Sequence, residues 1–260
     1  MPHINVQGIN FYYEINGSGD PLLFIHGLGS STRDWEFQVP EFSPKYKVIT
    51  VDLRGHGKSD KPKGPYSISM FATDVAEIIK YLDLADVSIV GISLGGAIVL
   101  QLTIDYPELI KNLVVVNSRA SIIDANALEQ TINERTKIIE NEGMKGMGET
   151  LASVLFIKPE QEEKRKKTIK RWAENDIDSY INSLKSLIGF NLMNELSRIK
   201  CPTLIITSDQ DYSPVSVKEE YAKLIPKSIV KVVNDARHAV TMEKPKEFNE
   251  IILEFLLKNA

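Results

Sequence analysis

The chain has little cysteine: Cys201 is the only one in 260 residues, so no internal disulfide can form and a reducing compartment suits it. Cys201 stands before Pro202 at the head of a strand-like run and reads as a buried structural thiol. No uninterrupted apolar stretch reaches the roughly 20 residues that span a bilayer. The opening Met1-Pro2-His3-Ile4-Asn5-Val6 lacks a basic segment followed by an apolar one, so no signal peptide is expected. Positive charge is not in excess either. The 31 Lys and Arg against 35 Asp and Glu leave a net charge of -4, which argues against the basic surface of a nucleic-acid binder. Cytoplasmic residence with no membrane contact is the expectation. What remains, 43% hydrophobic and 25% charged residues, is enough for one large core.

The richest stretch runs from Ser88 to Leu100. Val87, Ile89 and Val90 read as a buried strand, and Ala97 to Leu102 as a buried helix. Between them lies Gly91-Ile92-Ser93-Leu94-Gly95, with no residue to spare for a loop. A turn that abrupt strains its central residue and lifts the serine side chain clear, and it leaves no room for a Cβ at the flanking glycines. Ser93 is then presented at the end of a sheet, above unpaired N–H groups at the head of a helix. An oxyanion would be stabilised there.

Taken in order, Val6 to Ile9 and Phe11 to Ile15 predict an edge hairpin, and Leu22 to Ile25 a short strand ending in His26-Gly27-Leu28-Gly29. Lys47 to Val51 predicts the next strand, and Ser67 to Leu82 an amphipathic helix. After the Ser93 unit comes Leu113 to Val116. Apolar strands alternating with amphipathic helices predict an α/β fold, a mostly parallel sheet covered by helices on both faces. The alternation stops near Ser118. Between Asp124 and Leu196 only helical patterns occur, at Ala127 to Glu140, Met147 to Leu155, Glu160 to Glu174 and Tyr180 to Ile188. Strands return at Pro202 to Thr207 and Ser228 to Val233, and Pro245 to Leu257 closes the chain as a helix. The expected organisation is a core of residues 1–120 and 197–260 interrupted by an α-helical lid insertion, 121–196.

A serine is a weak nucleophile until a base takes its proton. His3 lies at a terminus, while His26 and His56 sit beside glycines and read as loop-shaping residues. His238 follows the last strand and precedes the closing helix, which makes it the candidate base. The base needs an acceptor to hold its tautomer. Asp209 and Asp211, both just after a strand, each qualify. Ligands of parallel sheets bind at the carboxyl ends of the strands, where Ser93, the His26 loop, Asp211 and His238 all fall.

These motifs together resemble the α/β-hydrolase fold superfamily over nearly the whole chain outside the insertion. His26-Gly27-Leu28-Gly29 is similar to that family's first loop, and Asp52 to Ser59 to its Asp-x-Arg-Gly-x-Gly-x-Ser. Asp211 falls on the family's acid, although Ser208 replaces a glycine and Pro214 arrives one residue early. Arg237 stands where the family has a glycine before its histidine. The resemblance implies a serine hydrolase with a triad of Ser93, Asp211 and His238. It also implies an oxyanion hole from the backbone N–H groups of Leu28 and Leu94. No cofactor or metal is implied. A serine at position 93 separates the chain from the dehalogenases and epoxide hydrolases, which carry aspartate there. Closer likenesses are small carboxylesterases, including those acting on acyl-carrier esters, and 3-oxoadipate enol-lactonases, the latter suggested by Gly64-Pro65-Tyr66.

The expected activity is cleavage of a small-molecule carboxylic ester or lactone through an acyl-enzyme. Carbon–carbon bond hydrolysis, cofactor-free perhydrolysis and a non-catalytic ligand-binding receptor remain as alternatives on the same framework. Phe156, Trp172 and Phe190 are candidate pocket residues, with Met147 beside them. Lys164, Arg165, Lys166, Lys167, Lys170 and Arg171 form a basic cluster in the insertion. It reads either as a solvated helix face or as a docking surface for an acyl-carrier protein.

Overall fold

The computed structural model describes residues 2–122 and 124–259; residue 123, inside the expected insertion, and the terminal residues 1 and 260 lie outside them. Eight strands form one sheet: β1 (His3–Val6), β2 (Ile9–Asn16), β3 (Pro21–Ile25), β4 (Lys47–Val51), β5 (Val87–Ile92), β6 (Ile110–Val116), β7 (Thr203–Ser208) and β8 (Ser228–Val233). Their spatial order is β1-β2-β4-β3-β5-β6-β7-β8. Pairings β1–β2 and β2–β4 are antiparallel and the rest parallel. The edge hairpin turns at Gln7-Gly8, both at positive φ, and not at Asn10 as the apolar pattern suggested. Ile9 therefore belongs to β2, because Gly8 supplies the left-handed turn.

The helices outside the β6–β7 crossover are α1 (Val39–Phe42), α2 (Ile68–Tyr81), α3 (Leu94–Asp105), α7 (Val215–Ala222), α8 (Val240–Glu243) and α9 (Pro245–Lys258). Helices α2, α3 and α7 cover one face of the sheet through Phe71, Val75, Ile79, Val99, Leu102 and Tyr221. The other face meets Trp35, Phe42, Phe248, Ile252 and Phe255. Strand β6 splits its side chains between them: Leu113 and Val115 go to the first core, Val114 and Val116 to the second. That is why the central strands are apolar without alternation.

The crossover from β6 to β7 holds α4 (Ala125–Leu155), α5 (Glu162–Trp172) and α6 (Ile177–Lys185). Gly143, at φ 69 and ψ -174, breaks α4 into two helical halves, which match the two helical patterns of the sequence on either side. These helices pack through Ile139, Met144, Met147, Leu151, Tyr180 and Trp172 and reach the sheet loops at Leu28. Among the described residues no helix is long and apolar enough to cross a membrane.

Candidate active site

Strand β5 ends at Ile92 and α3 begins at Leu94, so Ser93 alone makes the turn, at φ 57 and ψ -118. A non-glycine residue with positive φ is strained and persists only where its surroundings over-determine it. Here the surroundings are close backbone. A Cβ on Gly91 would lie 2.3 Å from the Gly95 carbonyl oxygen, and one on Gly95 would lie 2.3 Å from that of Ile25. The turn is further held by the Ser93 N–H donating to Val116 O at 2.9 Å and by Ser118 Oγ donating to Ser93 O at 2.7 Å.

Asp211 and His238 meet across the ends of β7 and β8, with His238 Nδ1 donating to Asp211 Oδ1 at 2.5 Å. Asp209 turns elsewhere: its Oδ1 accepts the Ala236 N–H at 3.1 Å and fixes the loop that carries the histidine. The second oxygen of Asp211 accepts from Lys218 Nζ at 2.6 Å, and the carboxylate and the ammonium are both fully enclosed. Burial alone would push the Asp211 carboxyl up; the His238 and Lys218 bonds overcome it and hold it down at about 2. The Tyr212 ring stacks on the imidazole with centroids 4.2 Å apart. Asn117, at the end of β6, accepts the Ser208 N–H at 2.8 Å and donates to Ser208 Oγ and His238 O, each at 2.9 Å. It thereby ties the acid loop to the histidine loop. Neither Asn117 nor Lys218 was singled out from the sequence. Lys218 was readable in principle, since it lies three residues before Tyr221 on the apolar face of α7.

His26 and His56 are enclosed away from this pair. Leu53 N–H donates to His26 Nε2 at 3.0 Å, so the ring's proton sits on Nδ1 and is donated to Gly27 O at 2.8 Å. His56 Nδ1 donates to Arg54 O at 2.9 Å. Burial holds both rings neutral, lowering His26 to about 4 and His56 to about 3. They shape the loops after β3 and β4. Gly27 approaches so closely that a Cβ there would stand 3.3 Å from Ser93 Cβ. The Leu28 N–H beside it makes no hydrogen bond among the described residues, and Leu94 N–H, first of α3, has no intrahelical partner.

Ser93, His238, Leu28 and Leu94 all line one cavity of about 380 Å³, roofed by α4 to α6. Ser93 Oγ and His238 line the same cavity without a direct hydrogen bond between them. Phe156 and Trp172 line the cavity, but Phe190 does not: it packs in the core beside Leu192, and its carbonyl accepts the Ile122 N–H. Met147 is likewise enclosed between the helices. Leu128, Leu151, Leu155 and Leu184 give the wall an apolar stretch, beside polar residues such as Thr131, Thr168 and Asn175 and several charged ones. Of its cations, Arg33 pairs with Glu174, and Arg171 with Asp34 and Glu36. Arg135 donates to Tyr180 Oη at 2.8 Å and has no carboxylate within ion-pair distance among the described residues. No group of three or more His, Cys, Asp or Glu side chains suited to a metal ion occurs among the described residues.

Residues 20–139 match the alpha/beta hydrolase fold family. A 3-oxoadipate enol-lactonase of Acinetobacter baylyi is 29% identical over 96% of this chain and 94% of its own length. Among solved structures, Est816, described as an N-acyl homoserine lactone degrading enzyme, is 28% identical with a TM-score of 0.84 over 98% of this chain and all of its own. The enol-lactonase of Burkholderia xenovorans superposes with a TM-score of 0.90 at 24% identity, covering 98% of this chain and 100% of that one.

Proposed function

We propose that the chain, whose residues 20–139 match the alpha/beta hydrolase fold family, cleaves a carboxylic ester or lactone through an acyl-enzyme. The observation that carries this reading is Ser93, raised on its strained turn, opening onto the same cavity as an imidazole anchored by Asp211. In the reaction, Ser93 Oγ attacks the ester carbonyl as His238 Nε2 takes its proton. The N–H groups of Leu28 and Leu94 receive the carbonyl oxygen as it becomes an oxyanion. The C–O bond to the alcohol then breaks, His238 returns the proton to it, and water repeats the sequence to free the acid. In a lactone the alcohol stays attached to the released product. The helices α4 to α6 act as a lid, placing residues 121–196 as an insertion in a core of 1–120 and 197–260. A single cysteine fits the cytoplasm.

Arg135 supports a narrower reading, a substrate that carries a second, free carboxylate. Its guanidinium is half-buried on the cavity wall with no carboxylate partner among the described residues, and a substrate carboxylate would complete its pairing.

The test is Ser93→Ala with a fluorophosphonate probe. Hydrolysis of p-nitrophenyl acetate falls by roughly 10⁴-fold and labelling disappears. Near-normal turnover, or labelling at another residue, sinks the proposal. A receptor would show no turnover even in the wild type.

A further inference from the structure

The ammonium group of Lys218 is buried in a place where the reaction described above does not call for it. Its side chain is wholly enclosed in α7, and an enclosed lysine is rare unless it is paired. All three of its protons have partners: Asp211 Oδ2 at 2.6 Å, Ser213 O at 2.6 Å, and Ser213 Oγ. Asp211 is thus held from both sides, one oxygen on the imidazole and the other on the ammonium. Helix α7 starts directly after Pro214, so its first turn returns Lys218 beneath the loop that holds Asp211.

We infer that Lys218 is a positioning residue that acts on His238 through Asp211. Resting on the proposed Ser93, Asp211 and His238 roles, the inference assigns Lys218 two effects. It locks the carboxylate rotamer, and it withdraws part of the negative charge that would favour a protonated imidazole. The second effect weakens the hold of the Asp211 carboxylate on the imidazole proton. The direction follows from charge: a cation beside the carboxylate offsets the anion's pull on the imidazolium proton. Other titratable or charged groups around the pair are Tyr212 against the imidazole, Tyr221 on α7, Arg237 on the histidine's own loop, Arg119 after β6 and Arg135 on α4. None of these others bonds the Asp211 carboxylate; Ser213 Oγ adds a neutral donor to the same oxygen as Lys218, at 3.3 Å.

The experiment compares Lys218→Gln with Lys218→Arg. Glutamine retains a donor to Asp211 without the charge, and arginine retains the charge. Two quantities are read: the acid limb of kcat/KM against pH, and the ring titration of His238 by NMR on histidine-labelled protein, its signal assigned by its loss in His238→Asn. In Lys218→Gln both midpoints move up by about half to one pH unit; in Lys218→Arg both stay near wild type. A Lys218→Gln enzyme whose activity falls equally at every pH, with an unmoved ring titration, overturns the inference and leaves Lys218 a packing residue. Should Lys218→Gln not fold, the wild type still decides. A protonated ammonium for Lys218, detected by ¹⁵N NMR near pH 7, sustains the inference, and a neutral amine overturns it. The ring titration needs no turnover. Loss of the triad reading through an active Ser93→Ala is therefore distinguishable from loss of the Lys218 effect.

Discussion

Arg135 lines the cavity with no carboxylate within ion-pair distance among the described residues. Among the described residues only Tyr180 Oη, itself enclosed, accepts from it, so one guanidinium N–H is anchored and the others can meet a ligand. A bidentate carboxylate suits that fork. Arg135→Gln should raise KM about 10- to 100-fold for the monoethyl ester of a dicarboxylic acid, the scale of a lost charge-assisted hydrogen bond. A neutral ethyl ester of equal length should change less than about twofold. Equal responses of both esters would remove Arg135 from recognition. The residues of the site differ in how readable they were. Ser93 and His238 carry local signals, a glycine-flanked turn between apolar elements and a histidine after a strand. The choice between Asp209 and Asp211 had none, because two residues of loop decide whether a carboxylate meets the imidazole or caps the Ala236 N–H. Phe190 looked like a pocket residue by type, yet a backbone hydrogen bond to Ile122 turns its segment into the core.

At the scale of elements, α5 is bound to the loop after β3 by charge. Lys167 pairs with Glu36, Arg171 with Asp34 at 3.2 Å and Glu36 at 3.1 Å, and Asn175 Nδ2 donates to Gly29 O at 2.9 Å. Trp172 lies against Gly29, where a Cβ would stand 2.7 Å from the indole. Arg165 and Lys166 pair with Glu162, and Lys166 also with Glu163. Four of the six cations of the basic cluster are thus matched within the chain, which leaves a docking surface for an acyl carrier without support. The sequence showed the charges of α5 but not the partners of Lys167 and Arg171, which lie more than a hundred residues away. Strands and long helices were readable because burial on both sheet faces leaves continuous apolar runs. The eight-residue α7 was not, being short and bearing a lysine on its buried face. The double variant Lys167→Gln/Arg171→Gln should free α5 from the loop. The exposed Lys167 pair contributes about 0.2–1 kcal/mol and the more enclosed Arg171 adds two more, so amide exchange across Glu162 to Trp172 should quicken by about fivefold or more. Hydrogen-exchange mass spectrometry checks it, and unchanged protection would assign the attachment to Trp172 and Asn175 instead.

For the whole molecule, the two buried histidines set how it responds to acid. His26 and His56 lie 5.0 Å apart between the loops that follow β3 and β4, so their fate is tied to the frame of the site. Burial lowers His26 from 6.5 to about 4 and His56 from 6.5 to about 3. The unfolded chain takes up protons below pH 6.5 while the folded one refuses them, so stability rises with pH across that interval and is lost as pH falls through it. Each ring contributes about 1.4 kcal/mol of loss per pH unit, and the two together soon matter against a total of about 5–15 kcal/mol. Asp211, held down at about 2, acts in a separate, lower window: its stabilisation is complete above the ordinary carboxylate range and is lost as pH falls from 3.8 to about 2. A fall in stability between pH 6.5 and 4.5 is therefore expected from the two histidines, opposed by Asp34 and Asp74, whose carboxyls burial pushes up. His56→Gln isolates one of them. Its amide can keep the bond to Arg54 O, and His56 Nε2 has no partner among the described residues to lose. Urea unfolding at pH 7.5, 6.0 and 5.0 should show the variant losing stability about half as steeply as the wild type. Equal slopes would mean that His56 takes up its proton in the folded state, and the enclosed, neutral ring would have to be given up.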